Sequence, residues 1–456
     1  MGGIMQQSGR VDIAALVDSG RIGRFHVVLF ALCALSLIMD GFDVQAIGYV
    51  GPEVSAAFDV AIGRVVSAGN FGLMLGALIF TMLGDRLGRR PVLIGGTLFY
   101  GLISILTAHA DTATELYVLR FIGGLGLGAV VPNATALIGE YSPKHLRVTL
   151  MMAITVGFTV GAAFGGVVAN WLVPQFGWQA VFYFGGIVPL IVGVLMFFWL
   201  PESLSFLVVR RKYDRIAAWL SRAHPSLPVG PGTEYVTAEK GRKGVPVRHL
   251  LTEGRARVTL LYWLINFTNI LNLYFLAGLL PTILTANGLE ASMARTETSI
   301  MQFGGVVGTF GFAWLIARRG FTPVLGTGFV IAALTIALIG SQSIMTAVPV
   351  LTVVLFVTGW CVVGGQPGLN ALAATYYPTD MRSTGIGWGL GWGRWGGVVG
   401  PLVGGELVVL GWGTQALFLV FAIPAATAAI GMWALHRILK PAGGEPRIGR
   451  REPATP

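Results

Sequence analysis

Long apolar runs separated by short polar turns recur along the whole chain. At about 1.5 Å of helical rise per residue, each run is long enough to cross a bilayer, for which about 20 residues suffice. The pattern predicts twelve spans, at 24–50, 62–83, 91–109, 115–138, 148–172, 179–200, 257–281, 297–317, 321–341, 346–374, 384–408 and 412–436. The runs are continuous rather than alternating, which predicts helices and not the strands of a membrane barrel. No small-residue cleavage site follows the first run, so it reads as a retained helix rather than a signal peptide. One polar stretch is long, and it divides the spans six and six. The expected organisation is a polar tail 1–23, a six-helix half 24–200, a central loop 201–256, a second six-helix half 257–436 and a tail 437–456. Within the loop, Ser205 to Ala223 reads as a short amphipathic helix lying on the membrane.

Composition agrees with the pattern. Charged residues make up 11% of the chain and hydrophobic ones 54%, where a soluble domain carries about 25% charged residues. The net charge of +10 raises the question of a nucleic-acid partner. Placement answers it, because 27 of the 31 Lys and Arg residues fall on one side once both termini are put there. Only Arg64 and Arg295 fall on the other side, and Arg120 and Arg394 lie within spans. That asymmetry places both termini and the central loop in the cytoplasm of a multi-pass plasma (inner) membrane protein. The basic charge is then topology, with some contact to anionic lipid, and no nucleic acid is expected. Cys33 and Cys361 both lie in apolar spans. No disulfide framework, metal site, cofactor motif, phosphate-binding loop or nucleophile elbow is present, so neither an enzyme nor an ATP-driven pump is expected.

Charged and amide side chains inside the spans carry the candidate chemistry. The first span contains Ile38-Met-Asp40-Gly-Phe-Asp43-Val-Gln45. An acid at mid-bilayer costs roughly 2.5–3.5 kcal/mol on insertion scales, so two on one helix imply a protein-facing or water-facing site. At 100° per residue Asp40 and Asp43 lie about 60° apart, on one face. Arg394 sits about ten residues from either end of its span, too deep to snorkel easily, and it is either a substrate-carboxylate contact or an ion-pair partner of Asp40 or Asp43. Arg120 is either a site residue or a snorkelling residue near Glu115. Trp388, Trp392 and Trp395 form one stripe, about 120° from Arg394, which reads as a lipid or packing face. Tyr262, Asn266 and Asn269 share a face that either lines a cavity or crosses to another helix. Gln366 and Asn370 flank Pro367, where either a helix break or a polar helix contact is expected. Glu406 reads as an interfacial acid.

Repeats and turns narrow the reading. Tyr141-Ser-Pro-Lys-His-Leu-Arg147-Val-Thr149 matches Tyr376-Tyr-Pro-Thr-Asp-Met-Arg382-Ser-Thr384 at an offset of 235 residues, which implies two parallel halves. Gly84-Asp85-Arg86-Leu-Gly88-Arg89-Arg90-Pro91 joins the second and third of twelve spans. It resembles the cytoplasmic signature of the major facilitator superfamily, as do the glycine ladder after Arg120 and Pro201-Glu202-Ser203. The second half has only Arg318-Arg319-Gly320 at the equivalent turn. Three stretches resemble the aromatic acid:proton symporters within that superfamily: Asp40-Gly-Phe-Asp43-x-Gln45, Gln366-x-Gly-x-Asn370-Ala-Leu-Ala-Ala, and Tyr376-Tyr-Pro-Thr-x-x-Arg382-x-Thr-Gly-x-Gly-Trp388.

The resemblance implies an all-α membrane protein of twelve transmembrane helices in two six-helix pseudo-symmetric halves. It implies inward transport of a benzoate-like or hydroxybenzoate-like monocarboxylate with protons, by a monomer that needs no cofactor. The paired acids of the family map onto Asp40 and Asp43. Arg394, Arg120, Gln45, Asn266, Asn269, Gln366, Asn370 and Trp392 are the candidate substrate contacts. Gly84, Asp85, Arg86, Gly88, Arg89, Arg90, Glu140, Arg147 and Arg382 are the candidate conformational latch. The competing readings are a carrier of a nicotinate-like acid, a dicarboxylate or a sugar, and a membrane sensor of aromatic acids.

Overall fold

The computed structural model of the chain describes residues 10–20, 22–223, 234–236, 247–252, 254–378 and 381–439. The six apolar runs of the first half form α1 (Arg24–Tyr49), α2 (Ile62–Leu87), α3 (Arg89–Thr107), α4 (Ala113–Tyr141), α5 (Lys144–Phe176) and α6 (Gln179–Trp199). Those of the second half form α7 (Ala256–Ala286), α8 (Ala291–Arg319), α9 (Phe321–Ile339), α10 (Val348–Tyr376), α11 (Arg382–Val409) and α12 (Thr414–Leu439). Eleven of the twelve are long and apolar enough to cross a membrane by length and composition. The exception is α11, 28 residues long and also expected to span. It carries ten glycines, which lower its hydropathy without adding charge.

Internal packing groups the chain into two compact units, and their boundaries cut through helices. The first unit comprises residues up to Val44, Gly72–Gly161 and Gln179–Arg242; the second comprises Gln45–Phe71, Ala162–Trp178 and everything from Lys243. The helices α1, α2 and α5 therefore pass from one unit to the other partway along their length.

In the first unit, glycines set the closest helix crossings. Gly41 of α1 lies against the carbonyl of Phe158 in α5, and Gly161 of α5 lies against the carbonyl of Ile38 in α1. A Cβ at either position would occupy the place of a backbone oxygen, which cannot yield as a flexible side chain can. Gly72 and Gly76 of α2 meet α4 in the same way, at Phe121 and Leu125. This is the small-residue packing that lets helices approach where no hydrophobic gain drives them together. Gly161→Val is expected to cost at least about 1–3 kcal/mol by overpacking, read as a fall in thermal midpoint in detergent. Gly95→Ala, with nothing within 4 Å of its Cβ position, is the control that leaves the midpoint in place.

Two expectations for the polar segments are corrected. The N-terminal tail is not uniformly polar coil: Arg10–Asp12 (β1) pairs in parallel with Glu234–Val236 (β2) of the central loop, and a helix Ile13–Ser19 follows. Its Leu16 and Val17 are buried. The loop helix Tyr213–Ala223 is amphipathic as expected, but Ile216 and Leu220 are covered by protein rather than left for lipid. Amphipathic spacing predicts that an apolar face will be covered, without saying by what.

In the second unit, α7, α9, α10 and α12 enclose a core around Ile265, Phe321, Phe329, Leu369 and Met432. This core holds the polar face of α7, described next, between well-packed neighbours.

Candidate functional site

Within the first unit, α1 carries Asp40 and Asp43 to fully buried positions. Arg120 of α4 lies against Asp43, with Nη1 3.1 Å from Oδ2, and its Nη2 donates to the Asp43 backbone carbonyl at 3.0 Å. The other carboxylate oxygen, Oδ1, lies 2.9 Å from the hydroxyl of Ser104 in α3. The guanidinium stands 5.6 Å from the centroid of Phe182 in α6, an added cation–π contact. Tyr100 of α3 lies within electrostatic reach of both carboxylates.

This geometry revises the ion pairing read from the sequence. Within its own unit, Asp43 has Arg120 as its counter-charge. Arg120 is only 4% exposed, so it does not snorkel. Which helices are neighbours depends on bundle packing, and the depth of a charge in its span does not reveal it. Ser104 went unnoticed because a lone serine in an apolar run carries no signal.

In the second unit, the amide face of α7 meets α10. Asn269 Nδ2 donates to Gln366 Oε1 at 2.7 Å and to the Val362 carbonyl at 3.2 Å. Gln366 Nε2 donates to Asn266 Oδ1 at 2.8 Å, and Asn266 Nδ2 donates to the Tyr262 carbonyl at 3.3 Å. The face is therefore a helix-to-helix amide chain. Of the two alternatives at Pro367, the polar helix contact forms, through Gln366, and α10 runs unbroken from Val348 to Tyr376. Asn370 follows one turn after Gln366. Gln45 is buried on the part of α1 that belongs to this unit. Arg394 is half-buried on α11. Trp388 and Trp392 both stack on Trp263 of α7, with centroids 6.2 and 6.1 Å away, and Trp392 remains 48% exposed. Trp392 thus belongs to an aromatic stack that links α7 and α11.

The basic turn between α2 and α3 is tied down inside the first unit. Arg89 bridges Glu140 at 2.8 Å and, more loosely, Asp85 at 3.8 Å. Glu140 also accepts from the Ser203 hydroxyl at 2.8 Å. Glu202 accepts from the backbone N–H of Arg90 at 3.1 Å and of Ser203 at 2.8 Å. Gly88 has φ +105°, and a Cβ there would press on the Glu202 carboxylate, so glycine is needed twice over. Gly84 lies against the Asn133 side chain, and the Arg86 carbonyl accepts from Arg210. Arg147 donates to the Ser142 carbonyl and pairs with Asp18. Arg382 opens α11 and is exposed; Thr379 and Asp380 of its repeat motif lie outside the described residues.

The second unit holds polar contacts that the sequence reading missed. Arg295 of α8 donates to Glu53 at 2.6 Å and to Asn170 Oδ1 of α5 at 2.8 Å. Asn170 donates in turn to the Ser292 carbonyl. Arg64 of α2 makes a two-pronged contact with Glu406 of α11, so Glu406 is an ion-pair partner as well as a residue near a helix end. The hydroxyl of Ser67 and the amide of Asn70 donate to the α11 carbonyls of Val398 and Gly397, at 2.7 and 2.8 Å. Arg64 and Arg295 had registered only as exceptions to the charge asymmetry. Among the described residues, no cluster of His, Cys, Asp and Glu is arranged to hold a metal ion.

Comparison with known proteins places this geometry in context. The family profile described as Major Facilitator Superfamily matches residues 33–250 and 262–456. The chain is 36% identical over 429 residues to a gallate transporter of Pseudomonas putida, covering 93% of this chain and 95% of that one. It is 34% identical over 427 residues to a 4-hydroxybenzoate transporter of the same species, covering 92% and 95%. A crystal structure of a D-xylose–proton symporter superposes with a TM-score of 0.71 at 16% identity, covering 90% of this chain and 97% of that one.

Proposed function

The chain belongs to the major facilitator superfamily, and from that premise we propose that it imports an aromatic monocarboxylate of the benzoate or hydroxybenzoate kind by proton symport. The observation that carries the proposal is the buried pair of Asp43 and Arg120. A guanidinium binds a carboxylate through paired N–H groups, and a substrate carboxylate competes for the same groups that hold Asp43. When the substrate takes them, Asp43 is left as a buried charge without compensation, a state that costs several kcal/mol. A proton on Asp43 removes that charge. Anion and proton then favour one another's binding, which is the coupling symport requires. Asp40 is proposed as the second acid of the site.

The solute class is supported by the relatives' substrates, since 4-hydroxybenzoate and gallate are both flat aromatic monocarboxylates. The ring requires apolar walls, and Phe182 beside Arg120 is one candidate. Arg394 is proposed as a second cation on the anion's route, with Gln45, Asn266, Asn269, Gln366, Asn370 and Trp392 as contacts of the second half. The turn Gly84–Arg90, with Glu140 and Arg147, is proposed to brace one conformation of the first half, and Arg382 to serve the matching turn of the second. The basic residues support a plasma-membrane chain with both termini in the cytoplasm, and it is proposed to act as a monomer.

Purified protein in liposomes tests the proposal. With an inward proton gradient it is expected to concentrate labelled 4-hydroxybenzoate above the external level, and an uncoupler is expected to abolish the excess. Accumulation unchanged by the uncoupler would reject symport, and no uptake of any aromatic acid would reject the substrate class.

A further inference from the structure

The amide chain between α7 and α10 has a direction, and the direction fixes what it can bind. Both of its ends are anchored on backbone carbonyls, which only accept. Asn269 Nδ2 must face the Val362 carbonyl, and Asn266 Nδ2 must face the Tyr262 carbonyl. With the amide nitrogens so placed, Gln366 has one workable orientation, accepting from Asn269 and donating to Asn266. Both N–H bonds of Asn269 are then used, on Val362 and Gln366. Its Oδ1 is left buried, with no hydrogen-bond partner among the described residues. The same holds for Oδ1 of Asn370, one turn beyond Gln366 on α10.

Both of these open atoms are amide oxygens, acceptors with no proton to give. A solute carboxylate offers only acceptors, so its lone pairs would oppose those of Asn269 and Asn370. A buried acceptor lacks compensation until a donor reaches it. We infer that Asn269 and Asn370 read a proton-donating substituent on the aromatic ring, a phenolic hydroxyl, while the carboxylate is held elsewhere. The inference rests on the aromatic-acid reading and adds a preference within that class, for hydroxylated rings over unsubstituted ones. A hydroxyl in this place would pair an acceptor that an unsubstituted ring leaves bare, a difference of about tenfold or more in affinity.

The test compares binding of benzoate, 3- and 4-hydroxybenzoate, 4-aminobenzoate and 4-fluorobenzoate to the purified full chain. Fluorine is close in size to a hydroxyl but has no proton to donate. The better-fitting hydroxybenzoate, and the amino compound if it shares that ring position, are expected to bind at least about tenfold more tightly than benzoate and fluorobenzoate. In Asn370→Leu the ratio of hydroxy to fluoro affinity is expected to fall to within about twofold of one. Asn269→Leu should do the same if it folds, and Asn370→Leu carries the test if it does not. Equal affinity for the hydroxy and fluoro compounds in the unmodified protein would overturn the acceptor assignment alone. No binding by any member of the panel would overturn the aromatic-acid reading and this inference with it.

Discussion

Asp43→Asn protein is expected to exchange labelled for unlabelled substrate across a membrane but to lose uphill accumulation. The amide keeps the size, its oxygen can accept from Arg120 and its NH2 can donate to the Ser104 hydroxyl, but it cannot gain or lose a proton. A permanently neutral side chain resembles the protonated state and leaves Arg120 open to the substrate carboxylate. Binding and exchange therefore continue, while net transport no longer takes up the proton gradient. Arg120→Met should behave differently, because it leaves Asp43 buried and bare. Breaking one side of a buried ion pair costs about 3–5 kcal/mol, so this variant is expected to be destabilised as well as inactive. Adding Asp43→Asn to it should recover much of the stability without recovering transport. Counterflow, accumulation and thermal unfolding of the three proteins separate these outcomes. If Asp43→Asn accumulated substrate like the unmodified protein, Asp43 would have no part in coupling.

Arg295→Ala is expected to open the part of the second unit where Arg295 joins Glu53 and Asn170. The unit also holds the ion pair of Arg64 with Glu406, and exposure decides which of the two pairs matters. The side chains of Arg64 and Glu406 are 51% and 37% exposed, and exposed pairs of that kind contribute little. Arg295 is 4% exposed and its partner Glu53 26%. Losing Arg295 strands a largely buried carboxylate together with the Asn170 amide, a loss of about 3–5 kcal/mol. Ser299→Cys serves as a reporter, since Ser299 is buried one turn along α8 from Arg295 and both native cysteines are buried as well. A membrane-impermeant maleimide should label the reporter slowly in the parent, many-fold faster with Arg295→Ala, and only slightly faster with Arg64→Ala. Equal labelling in all three would mean that the Arg295 cluster does not hold this part of the unit closed.

The twelve spans were legible because lipid requires long apolar helices, and that demand writes itself into composition. The two acids were legible for the converse reason, as charge in hydrocarbon is too costly to be incidental. Their partners were not legible. Arg394 looked like the counter-charge because it was the deepest cation, yet Arg120 is the residue that α4 brings to Asp43. The pairing follows from close crossings such as Gly72 on Phe121 and Gly161 on Ile38, and spacing along a single helix holds no trace of them. The same limit hid Glu53 and Arg295, 242 residues apart in the chain, and the role of Glu202 beneath Gly88. At Pro367 the local rule left a break or a contact open, and the packed bundle decides it by carrying the helix through a missing hydrogen bond. The amides on α7 were found from sequence, but the direction of their chain came only from the carbonyls of Val362 and Tyr262.

Proton movement driven by the substrate alone is the most direct measurement of the central claim. Liposomes containing the protein and an internal pH indicator, with no imposed pH gradient, would receive external 4-hydroxybenzoate. The lumen is expected to acidify faster than in protein-free liposomes, which correct for passive entry of the neutral acid. Asp43→Asn should show only the protein-free rate. Carrier-dependent entry of labelled 4-hydroxybenzoate with no acidification above that background would contradict proton symport through Asp43.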